Sequence, residues 1–256
     1  MILLRELVIT DFKLRYQGSF LGYLWSLLRP LALFVILYTV FVRFLKFGGD
    51  IPHYPVYLLL GIIIWNYFAE VTSTGVGSVV GRGDLLRKIN FPKYVIVLAG
   101  SFSALINLAI NLIVVFIFML WNGVDFRLTM LWAPLLIVEL FTFALALAFL
   151  LSALFVRLRD INYVWEVIMQ GAFYATPIIY PISNIPEKWA KWLMLNPMAQ
   201  IVQDLRYAVV TPHTLTISDI YHSSWIRMVP IATVVLLMIG SSYYFKKRSG
   251  RFAEEI

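Results

Sequence analysis

The chain has 256 residues, of which 61% are hydrophobic and only 14% charged, and its mean hydropathy is +0.83. An ordinary soluble domain is nearer half apolar and a quarter charged, so this composition excludes one and indicates an all-α polytopic membrane protein. Cysteine is absent and the net charge is +7; the first removes disulfides, thiol chemistry and thiolate metal sites, and the second follows membrane topology, so no nucleic-acid partner is expected.

Residues 1–22 set Leu3, Leu4, Leu7, Val8 and Phe12 at helical spacing, with Arg5, Glu6, Asp11 and Lys13 on other faces. That pattern predicts an amphipathic interfacial helix along the cytoplasmic surface. The segment lacks a continuous apolar stretch ending in a small-residue cleavage site, so no removable signal peptide is expected. With about 20 apolar residues needed to cross the hydrocarbon core, six transmembrane helices are predicted, at residues 28–46, 56–80, 94–120, 131–156, 161–181 and 227–245. The first is bounded by Arg29 and Arg43, whose long side chains would snorkel to the two interfaces.

Between the second and third spans, residues 82–93 combine a turn at Gly83, a capping Asp84, an apolar edge of Leu85, Leu86 and Ile89, the basic pair Arg87 and Lys88, and Pro92. This predicts a short amphipathic helix facing the cytosol. Residues 157–160 link the fourth and fifth spans so briefly that the two must be antiparallel neighbours. After the fifth span, residues 176–206 contain Pro177, Pro181, Pro186 and Pro197, which no single helix can run through. The segment is nonetheless too apolar for a solvated loop. Trp189, Trp192, Leu193, Met194 and Leu195 crowd Lys188 and Lys191, predicting short amphipathic helices over 183–210 in the outer interface.

Fourteen of the basic residues fall on one side of these spans, among them Lys13, Arg82, Lys93, Arg157 and Lys246, against seven on the other, which include Arg43, Arg127, Lys188, Arg206 and Arg227. Both termini are therefore expected in the cytoplasm and 176–206 outside.

Catalysis is not expected. The chain has no phosphate-binding G-x-x-x-x-G-K-[ST] loop and no H-E-x-x-H, and His53, His213 and His222 sit in expected outer loops without metal-ligand spacing. Glu70, Glu139 and Glu166 lie within spans, where charge is costly. Asn66 pairs with Glu70, Asn107 with Asn111 and Glu166 with Gln170 at i, i+4, an arrangement that more often bonds neighbouring helices than a substrate. Aromatic stripes run along the first span (Phe34, Tyr38, Phe41) and the fifth (Tyr163, Gln170, Tyr174). Such rings either pack helices together or stack on the apolar faces of sugars passing by.

The run LRYQGSFLGYLWSLLRPL (14–31), the loop DLLRKINFPK (84–93), the RLRDI connection (157–161) and TPIIYP…IPEK…LNPMAQIVQDLR (176–206) together resemble the membrane subunit of ABC-2-type polysaccharide exporters, the group of O-antigen, capsule and teichoic acid permeases. The resemblance covers nearly the whole chain, in matching order. It implies a homodimer in the cytoplasmic membrane of a bacterium, joined to two copies of a separate P-loop ATPase that binds ATP and Mg, with no cofactor on this chain. It also implies that a polyprenyl-linked glycan passes between the protomers. On that likeness Asp84, Leu85, Leu86, Arg87 and Lys88 would couple to the ATPase, Phe34, Tyr38, Phe41, Tyr163, Gln170 and Tyr174 would line the path, and Pro186, Trp189, Trp192, Pro197 and Arg206 would belong to an outer gate. An exporter of drugs or lipids with the same architecture, and a scaffold that transports nothing, remain the alternatives at this point.

Overall fold

The structure is a computed structural model and describes residues 2–16, 22, 24–46, 51–88 and 91–255. Among them every regular element is helical. The long ones are α2 (Leu24–Leu37), continued as a π-helix over Tyr38–Phe44; α3 (Tyr54–Ser78); α5 (Tyr94–Trp121); α6 (Ala133–Arg157); and α11 (Met228–Ser249). The short ones are α1 (Ile2–Tyr16), α4 (Gly83–Lys88), α7 (Ile161–Ala175), α8 (Glu187–Met194), α9 (Pro197–Val209), α10 (Ile217–Tyr221) and α12 (Phe252–Glu255). Five stretches among the described residues are long and apolar enough to cross a membrane: Leu24–Phe44, Tyr54–Ser78, Tyr94–Trp121, Leu128–Arg157 and Ser224–Ser249. They correspond to the first, second, third, fourth and sixth expected spans.

The remaining expected span, 161–181, differs. Its helix stops at Ala175, and at about 1.5 Å per residue its 15 residues reach only about 22 Å of the roughly 30 Å core. Pro177 is the cause: the residue before a proline is pushed out of helical space, and Thr176 is extended, with φ −92° and ψ 138°. The chain then runs on without α-helix until Glu187.

The core forms around α3, whose apolar residues point in every direction; 78% of its spanning window is buried. A helix that is hydrophobic all round belongs inside a bundle, and α2, α5, α6, α7 and α9 all pack against it. Contact with α6 is close at Gly75, where an added Cβ would lie 2.6 Å from the Ala148 Cβ. α11 lies along α6. By contrast, only 11% of the α2 window is buried, which leaves that helix on the outside of the protomer. α1 packs on α5 with Arg5 and Glu6 exposed and Leu3, Leu4, Leu7 and Val8 partly covered, as an amphipathic helix would. Phe12 and Ile89 lie outside the side chains or residues described.

Two smaller assemblies close the ends. At one end, Ile182, Ala190, Met194, Ala199, Ile217 and Ile220 make a separate apolar cluster that joins α8, α9 and α10. On the other end Phe252 of α12 stacks edge-on to Phe245, with centroids 5.3 Å apart. The Lys93 ammonium donates to the Ser249 carbonyl at 2.5 Å there, and α12 packs against α4.

Candidate functional site: an outer lid, a furrow along α7 and an inner helix

Segment 176–181 has neither helix nor ladder to satisfy its backbone, and at membrane depth each carbonyl left bare is costly. Side chains from other elements supply the donors. Arg206 on α9 is 0% exposed and donates through Nη1 to the Pro177 carbonyl at 2.5 Å, through Nη2 to Ile178 at 2.6 Å and through Nε to Tyr57 of α3 at 3.0 Å. Its guanidinium lies 3.6 Å over the Tyr57 ring. The Tyr54 hydroxyl takes the next carbonyl, that of Ile179, at 2.5 Å. Desolvation lowers the Arg206 pKa, yet a guanidinium is basic enough to keep its charge. Gly61 makes the node possible, because a Cβ there would collide with Nη2. Arg206, one of the expected gate residues, is thus an internal pin that holds this segment.

The other expected gate residues are more exposed. Pro186 stands at the N-cap of α8, where its fixed φ starts the helix, and Asn196 caps α9 by accepting from the Met198 amide at 3.0 Å ahead of Pro197. Trp189 and Trp192 both face away from the lid core and are exposed, whereas Pro197 is buried. On the same helix Lys191 pairs with Glu187 at 2.6 Å, and its carbonyl accepts from the Tyr221 hydroxyl at 3.0 Å.

A polar cluster that the sequence reading did not pick out joins the lid to α6. Asp204 of α9 accepts from the Gln200 amide at 2.6 Å and from Arg227, just before α11, at 3.3 Å, with Glu139 of α6 beside them. The signal was the i, i+4 pair Gln200 and Asp204, on a helix that also carries Gln203 and Arg206. Burial pushes the Asp204 carboxyl above its ordinary value, against the opposing pull of Arg227 and of the Gln200 amide. A carboxyl raised in the folded state stabilises the fold while protonated, and that contribution is lost as pH rises through the folded pKa. Asp204→Asn cannot ionise, and it keeps one acceptor oxygen where the carboxylate offers two, to Gln200 and to Arg227. We therefore expect a pH trend: the variant's unfolding temperature should rise relative to that of wild type between about pH 4 and about pH 7. Thermal scans across that range check it, and a wild type that gains on the variant as pH rises would overturn it.

The aromatic stripes part company. Phe34 is buried edge-on against Phe118 of α5, centroids 5.7 Å apart, while Tyr38 sits 5.6 Å from Phe34 and is half-buried, as is Phe41. Phe34 is thus a packing residue inside the protomer. On α7 the picture is the reverse: Tyr163 and Tyr174 are 68% and 67% exposed, and Gln170 is exposed too. Gln170 and Tyr174 line a furrow of about 660 Å³ together with Trp65 and Asn66 of α3 and Trp165 and Glu166 of α7. Tyr163 stands outside it.

At the other end, Asp84, Leu85, Leu86, Arg87 and Lys88 all fall on α4, with Asp84 in its first turn, where a carboxylate suits the helix dipole. Asp84 is exposed and Leu85 partly so, but Leu86 is 7% exposed and belongs to the main apolar core. A knob that reaches for a partner must stand in solvent, so Leu86 is an anchor of α4.

Residues 3–210 match the family model of the ABC-2 type transporter. The chain is 31% identical over 260 residues to the O-antigen export system permease protein RfbA of Myxococcus xanthus, an alignment covering 99% of this chain and 95% of that one. It is also similar to the RfbA protein of Klebsiella pneumoniae, at 29% over 245 residues with 95% and 91% covered, and to the polysialic acid transport protein KpsM of Escherichia coli, at 23% over 252 residues with 95% and 92% covered. With the family model matched over residues 3–210 and a relative aligned along 99% of the chain, the chain belongs to the ABC-2 type transporter family.

Proposed function

We propose that this chain is the membrane subunit of an ATP-driven exporter that moves a lipid-linked polysaccharide across the cytoplasmic membrane of a bacterium. It works as two copies with two copies of a separate P-loop ATPase, which binds ATP and Mg; this chain hydrolyses nothing. The observation that carries the reading is the exposed face of α7, where tyrosines flank a polar furrow beside the sparsely covered α2. An outer protein surface of this kind, aromatic and hydroxylated, suits a sugar chain in the space between two copies. In this arrangement α7 and the pinned segment after it together make the fifth of six crossings, and both termini are cytoplasmic. α4 meets the ATPase, and α8 and α9, with Trp189 and Trp192 at the headgroups, form the exit. The relatives named for O-antigen export and polysialic acid transport support the same substrate class.

Two measurements test this. Affinity purification of the tagged chain should bring down a P-loop ATPase, and deletion should leave the glycan inside the cell; neither outcome occurring would remove the exporter reading. Tyr38→Ala combined with Tyr174→Ala should slow export by roughly three- to tenfold through lost ring contacts, while yield and ATPase binding stay unchanged. Wild-type export from the double variant would exclude stacking on these rings.

A further inference from the structure

Beside the α7 furrow, and sharing Asn66, Ala69 and Ser73 with it, lies a second cleft of about 550 Å³ enclosed by α2, α3 and α5. Its lining is unusual for a position halfway along membrane helices. Glu70 of α3 accepts from the Asn107 amide of α5 at 2.8 Å, and Asn111 donates to the Asn107 side-chain oxygen at 3.3 Å. These bonds orient the Asn107 carboxamide, with its nitrogen towards Glu70 and its oxygen towards Asn111. They bear out the expected bonding between helices, but they do not account for the whole cleft. Tyr67 also lines it, is 3% exposed, and its hydroxyl has no hydrogen-bond partner among the described residues. A buried hydroxyl left unbonded costs about 1–3 kcal/mol, so in a native fold such a group takes a partner, an ordered water or a guest that displaces it.

The chemistry of the lining says which guest. A carboxylate, three carboxamides, a phenol and the Arg29 guanidinium offer donors and acceptors side by side, the complement of vicinal hydroxyls. Trp25, exposed at the rim near the start of α2, adds an indole face on which a ring of C–H groups can rest. An apolar drug would leave the Tyr67 hydroxyl unbonded, and the two charges of the lining, Glu70 and Arg29, are of opposite sign, so an ion of neither sign is favoured. The volume falls in the range of small-molecule sites. We propose that this cleft is a saccharide-binding subsite, taking one or two sugar units with Glu70, Asn107 and the Tyr67 hydroxyl bonding to ring hydroxyls and Trp25 closing the rim. The proposal builds on the exporter reading by giving the substrate a resting place beside the α7 face.

The test uses the complete chain with its ATPase in lipid nanodiscs and the methyl glycosides of glucose, galactose, mannose, rhamnose and N-acetylglucosamine as probes, each followed by saturation-transfer NMR. At least one glycoside should receive saturation. Tyr67→Phe should weaken its binding roughly three- to tenfold, while thermal stability holds or rises, because the hydroxyl removed has no partner among the described residues. Trp25→Ala, at an exposed rim position, should also weaken binding without loss of yield. If no glycoside binds, or if Tyr67→Phe binds as wild type does, the subsite is overturned, although export of a glycan by the wild-type complex would still stand. Glycoside binding lost in Tyr67→Phe, with no glycan retained in a deletion strain, would instead uphold the subsite and sink the exporter.

Discussion

Replacing Arg206 with leucine is expected to release the outer segment while the long helices stay folded. Three carbonyls, those of Tyr57, Pro177 and Ile178, lose their donor at once, and two of them belong to a stretch with no secondary structure to fall back on. A buried carbonyl left bare costs about 1–3 kcal/mol. Removing the guanidinium also relieves the cost of burying a charge, which argues the other way. Here, however, the charge faces carbonyl dipoles and the Tyr57 ring, and leucine can replace neither the donors nor the stacking. The lost bonds dominate, with a net effect of about 3 kcal/mol or more on the local opening equilibrium, a roughly hundredfold rise in the open population. Limited proteolysis from the outer side should then cut within 176–186, with export lost and the spans protected. Arg206→Lys should fail for most of the same reason, because a point charge cannot spread over three acceptors as a planar fork does. Gly61→Ala offers a second lever on the same node. Its Cβ must displace Nη2, a crowding worth about 1–3 kcal/mol. Wild-type protease resistance in Arg206→Leu would show that the segment holds itself.

How far the sequence revealed this protein depends on the kind of physics each feature uses. Long apolar runs follow from solvent transfer alone, so α3, α5, α6 and α11 appear where hydropathy puts them. The run 161–181 is equally apolar, but apolarity does not make a helix when Pro177 forces Thr176 into an extended conformation. The count of basic residues placed Arg206 on the outer side and said nothing of its burial, which depends on carbonyls 28 and 29 residues earlier in the chain and which no local pattern announces. The stripe of Phe34, Tyr38 and Phe41 assumed an α-helical period, whereas residues 38–44 form a π-helix with a wider turn. The change of winding begins after Phe34, which sits on the regular helix and is turned inward by its packing on Phe118 of α5; the α7 stripe keeps its exposed face. Tyr67 drew no notice because a tyrosine in a span looks like ordinary core, and only its unbonded hydroxyl sets it apart.

Leu86→Asp and Leu85→Asp, adjacent changes of the same chemistry, are expected to fail in different ways. α4 has six residues, too few to persist without tertiary support. Its support comes from Leu86 in the core and from packing against α12. Burying a leucine contributes about 1.5–3 kcal/mol, and an aspartate in its place adds the cost of an unpaired carboxylate. Leu86→Asp should therefore dislodge α4 and lower yield, ATPase binding and export together, with a stability loss of several kcal/mol. Leu85 is only partly covered, so Leu85→Asp should leave yield and thermal stability near wild type and act at the surface offered to the ATPase. If α4 is the coupling element, export per ATP hydrolysed should fall by about tenfold, the scale of one good interface contact. Measuring hydrolysis and export in the same vesicles separates the two cases. A Leu86→Asp protein as stable as wild type would mean that this side chain is not an anchor, and full coupling in Leu85→Asp would move the ATPase contact elsewhere, with α1 and the exposed Asp84 the next surfaces to probe.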